Sequence, residues 1–130
     1  MIEPTNTTHT TKRRVVIIDD DQAFAAMLTK LVVSLGHEAL VKSDPRISDT
    51  FEVRDSDVVF VDILMPHVNG IQVLEQLNRQ NVKSAIVLMS GYDQFLDAAV
   101  QAAKNLDIQL SGVLHKPIRL ADVQTILEAV

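Results

Sequence analysis

Apolar positions along the chain switch repeatedly between two periods. Val15-Val16-Ile17-Ile18 is a continuous β-branched run, as expected of a strand covered on both faces. Phe24, Met27, Leu28, Leu31 and Leu35 then recur at i, i+3, i+4, i+7 and i+11, one stripe of a helix that Gly36 can close in a left-handed conformation. Ala39 to Val41 predicts a second strand, Val58-Val59-Phe60-Val61 a third that ends at Asp62, and Ala85 to Met89 a fourth stopped by Ser90-Gly91. Val113-Leu114 predicts a short fifth strand ending at Lys116-Pro117. Between these runs lie helical stripes. Pro66 and Asn69-Gly70 punctuate a loop before Ile71, Leu74 and Leu77; Leu96, Ala99, Val100 and Ala103 share one face; Leu120, Val123 and Leu127 mark the last helix. Residues 43 to 57 are different: Pro45 and the charged Asp44, Arg46, Asp49, Glu52 and Arg54 surround only Ile47, Phe51 and Val53, enough for a short helix at most.

Strands that alternate with helices imply a parallel sheet, because parallel neighbours need crossover connections and buried strands need helices on both faces. The fold class is therefore α/β, a doubly wound five-stranded parallel sheet. Crossovers of one hand bring every strand-to-helix loop to the same edge, and ligands of such folds bind there, near the switch in strand order. Residues 14–130 read as one domain with no internal repeat, and the Thr-rich residues 1–13 as a flexible arm.

Composition narrows the class. At 130 residues, 47% hydrophobic and 22% charged, the chain has the make-up of a globular domain and not of a disordered or fibrous one. A net charge of −5 disfavours direct nucleic-acid binding, which normally needs a basic face. Without cysteine there is no disulfide framework, thiolate metal site or thiol nucleophile. No apolar run approaches the ~20 residues of a membrane helix, and the first residues lack the apolar core of a signal peptide, so a cytoplasmic protein is expected with no membrane partner.

The remaining question is what the strand ends carry. Asp19, Asp20 and Asp21 follow the first strand, Asp62 ends the third, Ser90 follows the fourth and Lys116 the fifth. Singly, each has an ordinary explanation: Asp19 to Asp21 can cap a helix, Asp62 and Ser90 can serve turns, and Lys116 can be a solvated surface lysine. Together, at the one edge where such folds bind ligands, they form a set with its own chemistry. Clustered carboxylates repel one another unless a cation joins them. Oxygen ligands suit Mg²⁺, with Mn²⁺ as a substitute, and Mg²⁺ keeps waters and pairs readily with phosphate. Lys116 and Ser90 supply a cation and a hydroxyl donor for phosphoryl oxygens, and a carboxylate nucleophile can form an aspartyl phosphate.

In order and spacing these stretches resemble the response-regulator receiver domain of two-component signalling. The similarity runs over roughly residues 13 to 130 through Val15 to Asp21, then Asp62-Ile63-Leu64-Met65-Pro66 with Gly70 eight residues after the Asp, then Met89-Ser90-Gly91, then Lys116-Pro117. The resemblance implies a CheY-like, flavodoxin-like strand order 2-1-3-4-5. It implies that Asp62 accepts a phosphoryl group from a sensor histidine kinase or histidine phosphotransfer protein. Asp20, Asp62 and the Leu64 backbone carbonyl would bind Mg²⁺ directly, Asp19 would help through water, Ser90 would turn toward the phosphoryl group, and Lys116 would pair with it. The Lys-Pro peptide of the family is commonly cis, which makes Pro117 a device for aiming the lysine. Leu64 and Tyr92, two residues beyond Asp62 and Ser90, would flank the path of the hydrolytic water, and their bulk predicts a long-lived phosphoryl group.

Three positions depart from the family. Val113 stands where a switching aromatic is usual, so the signal is expected to leave through the helix after Ser90 or the adjoining loops. Ser90 and Lys116 are 26 residues apart, longer than typical, with the extra length around Lys104 to Ser111, a feature similar to receivers joined to cyclic-di-GMP phosphodiesterase domains. Arg119 replaces the usual small polar cap of the last helix. Two alternatives stay open: a Mg²⁺-dependent phosphatase or phosphotransferase turning over at Asp62, although Leu64 breaks the Asp-x-Asp pattern such enzymes share, and a degenerate receiver that only binds protein. His9, His37, His67 and His115 show no metal-ligand spacing, and Met27, Met65 and Met89 read as packing residues.

Overall fold

The computed structural model describes residues 12–43, 52–66 and 68–130. Five strands, β1 (Arg14–Ile18), β2 (Glu38–Lys42), β3 (Val58–Asp62), β4 (Ala85–Ser90) and β5 (Leu110–His115), form one sheet in the order β2-β1-β3-β4-β5, every pair parallel. Among the described residues four helices alternate with them: α1 (Gln22–Ser34), α2 (Gly70–Arg79), α3 (Asp93–Asn105) and α4 (Leu120–Ala129). Both the doubly wound class and the strand order match the expectation.

Alternation along each strand sends side chains to two separate cores. Val16, Ile18, Val59, Val61, Ile86 and Leu88 pack with Val73, Leu74 and Leu77 of α2 and Leu96, Ala99 and Ala103 of α3. Val15, Ile17, Val58, Phe60, Val87 and Met89 pack with Ala25, Leu28 and Val32 of α1 and Val123 and Leu127 of α4. Helices α2 and α3 thus cover one face and α1 and α4 the other. The central strand β3 is buried at every residue, which is why its sequence is an unbroken apolar run up to Asp62.

Several details differ from the sequence reading. The buried line of α1 is Ala25, Leu28 and Val32, while Met27 is exposed and Phe24, Leu31 and Leu35 are only partly covered. A stripe drawn through the largest residues is rotated away from the true inner face, which includes the small Ala25. Gly36 does close this helix, at φ +92°. Strand β5 is six residues and not two: Ser111 is skipped in the pairing between Ile86↔Leu110 and Val87↔Gly112, a bulge that absorbs part of the long Ser90-to-Lys116 segment. Asp107, at φ 59°, turns the chain out of α3 ahead of it. Leu120 is exposed, and Ile118 takes its place in the core. Of the arm expected at 1–13, residues 1–11, His9 included, lie outside the described residues, as do residues 44–51 of the segment 43–57, where a short helix at most is expected, and His67.

At the amino edge of the sheet, Arg14 clasps Asp57 through two hydrogen bonds, Nε to Oδ1 at 3.0 Å and Nη2 to Oδ2 at 2.6 Å. Asp57 is buried and also accepts from the Arg54 backbone N–H at 2.8 Å. Next to this clasp, buried His37 accepts a 3.0 Å hydrogen bond at Nδ1 from the Arg13 backbone N–H, which fixes a neutral imidazole at the turn into β2. Burial lowers its pKa below the ordinary histidine value, and the Arg13 charge lowers it further.

Candidate functional site

The carboxyl edge gathers the strand-end residues. Asp19 and Asp20 follow β1 and Asp62 ends β3; these strands are neighbours, and the chain departs to opposite sides of the sheet from this pair. That is the switch point at which open α/β sheets bind ligands. Carboxylate oxygens of Asp19, Asp20 and Asp62 lie within 4.8 Å of one another. Asp19 and Asp62 are buried, and Asp20 is the most accessible of the three.

A short turn fixes the first of them. Asp19 accepts from the Asp21 backbone N–H through Oδ1 at 2.9 Å, and Asp21 in turn caps α1 by accepting from the Phe24 N–H at 3.1 Å. The second oxygen of Asp19 receives Lys116 Nζ at 2.9 Å, and the same ammonium stands 3.4 Å from Asp62 Oδ1. Lys116 is carried past the end of β5 by a backbone bond from its N–H to the Ser90 carbonyl, 2.9 Å, and the following peptide to Pro117 is cis. The Phe24 ring forms a third side of the ammonium's surroundings, its centroid 4.1 Å from Nζ.

Charges in so small a space perturb one another. Burial pushes the Asp62 carboxyl up, Asp19 pushes it further, and Lys116 pulls it partly back, leaving it at about 6. For Lys116, burial alone would favour the neutral amine, but the hydrogen bond to Asp19 and the fields of Asp62 and Asp19 outweigh it and hold the pKa above the ordinary lysine value. One lysine against three carboxylates leaves a net negative, all-oxygen pocket. That donor set fits a hard divalent cation, as the Mg²⁺ expectation requires.

The loop after β3 is built to pass close under this pocket. The Gly70 N–H bonds the Ile63 carbonyl at 2.7 Å, and a Cβ on Gly70 would stand 2.8 Å from Ile63 Cα and 3.1 Å from the Asp62 carbonyl oxygen. Only glycine allows that approach at position 70. Asn69 and Gln72 then close a reciprocal capping box at the start of α2.

Ser90 ends β4 buried, and its hydroxyl is engaged with a neighbour: Oγ donates to the Tyr92 carbonyl and accepts from the Tyr92 N–H, both at 3.0 Å. Tyr92 and Leu64 are exposed at the same edge, 56% and 47%. The Tyr92 ring makes an edge-to-face contact with Phe95, centroids 6.0 Å apart. Val113 is away from this group, packed in β5 against the α2–α3 core. The structure thus brings Asp19, Asp20, Asp62 and Lys116 into one cluster, ties Ser90 to Tyr92, and leaves Leu64 and Tyr92 at the surface. Arg119 precedes α4 without a side-chain cap bond, and His115 pairs with Asp93 at 3.1 Å on the surface.

Sequence reasoning missed Phe24, which it assigned to a core stripe, and the Arg14–Asp57 clasp. Neither has a local signal, since their partners lie 92 and 43 residues away.

Fold and site together define a doubly wound α/β domain with an acidic, lysine-closed pocket at its carboxyl edge. Comparison with known proteins gives that class a family: residues 15–128 match the model of the response regulator receiver domain, and the chain belongs to that family. Regulator of RpoS from Escherichia coli is 26% identical over 110 residues, 82% of this chain and 31% of that protein. The positive alginate biosynthesis regulatory protein of Pseudomonas aeruginosa is 30% identical over 118 residues, 88% of this chain and 45% of that one. The chain therefore spans about a third to a half of these curated relatives. Among solved structures, a response regulator from Colwellia psychrerythraea superposes with a TM-score of 0.76 at 28% identity, covering 90% of this chain and 94% of the other. A CheY-like receiver domain from Methylobacillus flagellatus gives 0.75 at 26% identity, covering 91% and 98%. The chain is a receiver domain of the two-component response-regulator type, a family of signalling switches. Among the described residues no helix is long and apolar enough to cross a membrane.

Proposed function

We propose that Asp62 is the phosphoacceptor of this receiver, taking a phosphoryl group from a sensor histidine kinase or histidine phosphotransfer protein in the cytoplasm. The observation that carries the reading is the convergence of Asp19, Asp20 and Asp62 with Lys116 Nζ 3.4 Å from the Asp62 carboxylate. Asp62 Oδ attacks phosphorus, the bond to the donor breaks, and the donor leaves with the electron pair. Asp20, Asp62 and the Leu64 carbonyl, with Asp19 helping through water, would hold Mg²⁺, which would supply charge neutralisation for the incoming phosphoryl oxygens. Lys116 then exchanges a carboxylate partner for a phosphoryl oxygen, and Pro117 fixes the backbone from which it reaches. The domain turns over no substrate of its own in this reading, and residues 14–130 constitute the receiver behind an arm at 1–13.

For Ser90 to donate to the phosphoryl group, it must leave Tyr92. The bond it breaks is to the backbone at the entrance of α3, so the release is transmitted to Tyr92 and Phe95 and not through Val113. Phosphorylation thereby shifts a two-state equilibrium of the β4–α3 connection, which an output domain or partner reads. The long segment between Ser90 and Lys116 keeps a cyclic-di-GMP phosphodiesterase domain as the named candidate for that output. In the same reading, Leu64 and Tyr92, exposed two residues beyond Asp62 and Ser90, hinder the water that would hydrolyse the aspartyl phosphate.

The test is intact-mass measurement after incubation with phosphoramidate and Mg²⁺. One phosphoryl adduct, lost in Asp62→Asn and persisting after removal of the donor, is the expected result. Continuous phosphate release would point to an enzyme, an unreactive protein to a binding module, and rapid decay of the adduct would refute the shielding by Leu64 and Tyr92.

A further inference from the structure

Lys116 must keep one mobile ammonium in place while its charged partners change. Its stem has four rotatable bonds, and two of the three groups around Nζ are carboxylates, Asp19 at 2.9 Å and Asp62 at 3.4 Å. Both are also in the cluster suited to a divalent ion, so a cation there competes with Lys116 for the same oxygens. The third group, the Phe24 ring with its centroid 4.1 Å from Nζ, is not a metal ligand and cannot be taken from the lysine in that way.

The backbone that carries the ring is also tied to the acids. Asp21 joins them: its N–H bonds Asp19 at 2.9 Å, and its own carboxylate caps the Phe24 N–H at 3.1 Å. Carboxylate and ring are thus presented to the ammonium from one turn at the start of α1. A leucine at position 24 would serve the half-buried packing against the α1–α4 core equally well. What an aromatic ring adds is a face of negative potential toward a cation.

We infer that Phe24 is a positioning residue for Lys116, its ring face holding the ammonium over the acid cluster so that it stands ready for the phosphoryl oxygens. This rests on the reading of Asp62 as phosphoacceptor and of Lys116 as its counter-charge.

Two measurements test it. With ¹³C-labelled lysine, the ε-methylene signal of Lys116, assigned through Lys116→Arg, is expected upfield of the other lysines because of the ring current, and to return among them in Phe24→Leu. With phosphoramidate and Mg²⁺, Phe24→Leu is expected to take up the phosphoryl group about three-fold more slowly than wild type, the size of a modest cation–π contact, and Phe24→Tyr to restore most of the rate. A Lys116 signal unmoved by Phe24→Leu, a Phe24→Leu rate equal to wild type, or a Tyr variant as slow as the Leu variant would each overturn the role of the ring. A wild type as unreactive as Asp62→Asn is a different result: the phosphoacceptor reading then fails, and the positioning role falls with it.

Discussion

At the scale of single residues, the two titrations that matter run in opposite directions from their ordinary values. Asp62 is raised to about 6, so the protonated carboxyl is the form the fold prefers. Its stabilising contribution is present below about 4, where the unfolded chain also holds the proton, and is lost as pH rises through about 6. At pH 8, without divalent ions, Asp62→Asn should therefore raise stability by about 1 kcal/mol, offset in part by the lost contact with Lys116, as urea denaturation would measure. His37 has a lowered pKa because it is buried and because it lies in the field of the Arg13 charge. The unfolded chain binds the proton first, so stability is full above about 6.5 and declines as pH falls from there toward the lower folded value. His37→Asn, which keeps an acceptor without a proton to gain, should flatten the decline in melting temperature between pH 7 and 5.

Elements were legible where one period dominates. The β-branched runs of β1 and β3 leave no competing assignment, and Gly36 and Asn69-Gly70 mark real helix boundaries. The face of α1 was harder, because bulk does not reveal which side meets the sheet; Ala25 is buried and Met27 is not. Strand β5 was under-read because Ser111 and Gly112 interrupt its apolar pattern, and the pairing of Leu110 and Gly112 with β4 is a tertiary fact. In the site, the carboxylates, Ser90 and Lys116 were visible because strand ends declare themselves. Phe24 was not, because a contact with a lysine 92 residues later leaves no trace in local spacing. The β3–α2 connection makes a prediction at this scale. Gly70→Ala places a Cβ 2.8 Å from backbone that cannot swing aside, so it should destabilise the domain by about 2 kcal/mol and slow phosphoryl uptake at the adjoining Asp62, read by urea denaturation and intact mass.

For the whole molecule, the carboxylate cluster couples ion binding to folding. An ion that binds only the folded pocket stabilises by mass action, about 1.4 kcal/mol at ten times its dissociation constant. Adding Mg²⁺ should therefore raise the melting temperature in a concentration-dependent way, and Asp62→Asn or Asp20→Asn should blunt the response. The sheet itself keeps this chemistry apart from the Arg14–Asp57 clasp, which lies at the other end of β1 and β3, five residues from the site and so about 16 Å away. A cation paired with an anion is neutral as a unit, so its field fades over that distance, and changes at two such separated sites add without interacting. The β-sheet acts as a spacer between two adjustable ends. Heat tolerance can be retuned at the amino edge by strengthening or loosening the clasp, while the timing of the switch at the opposite edge stays as it was.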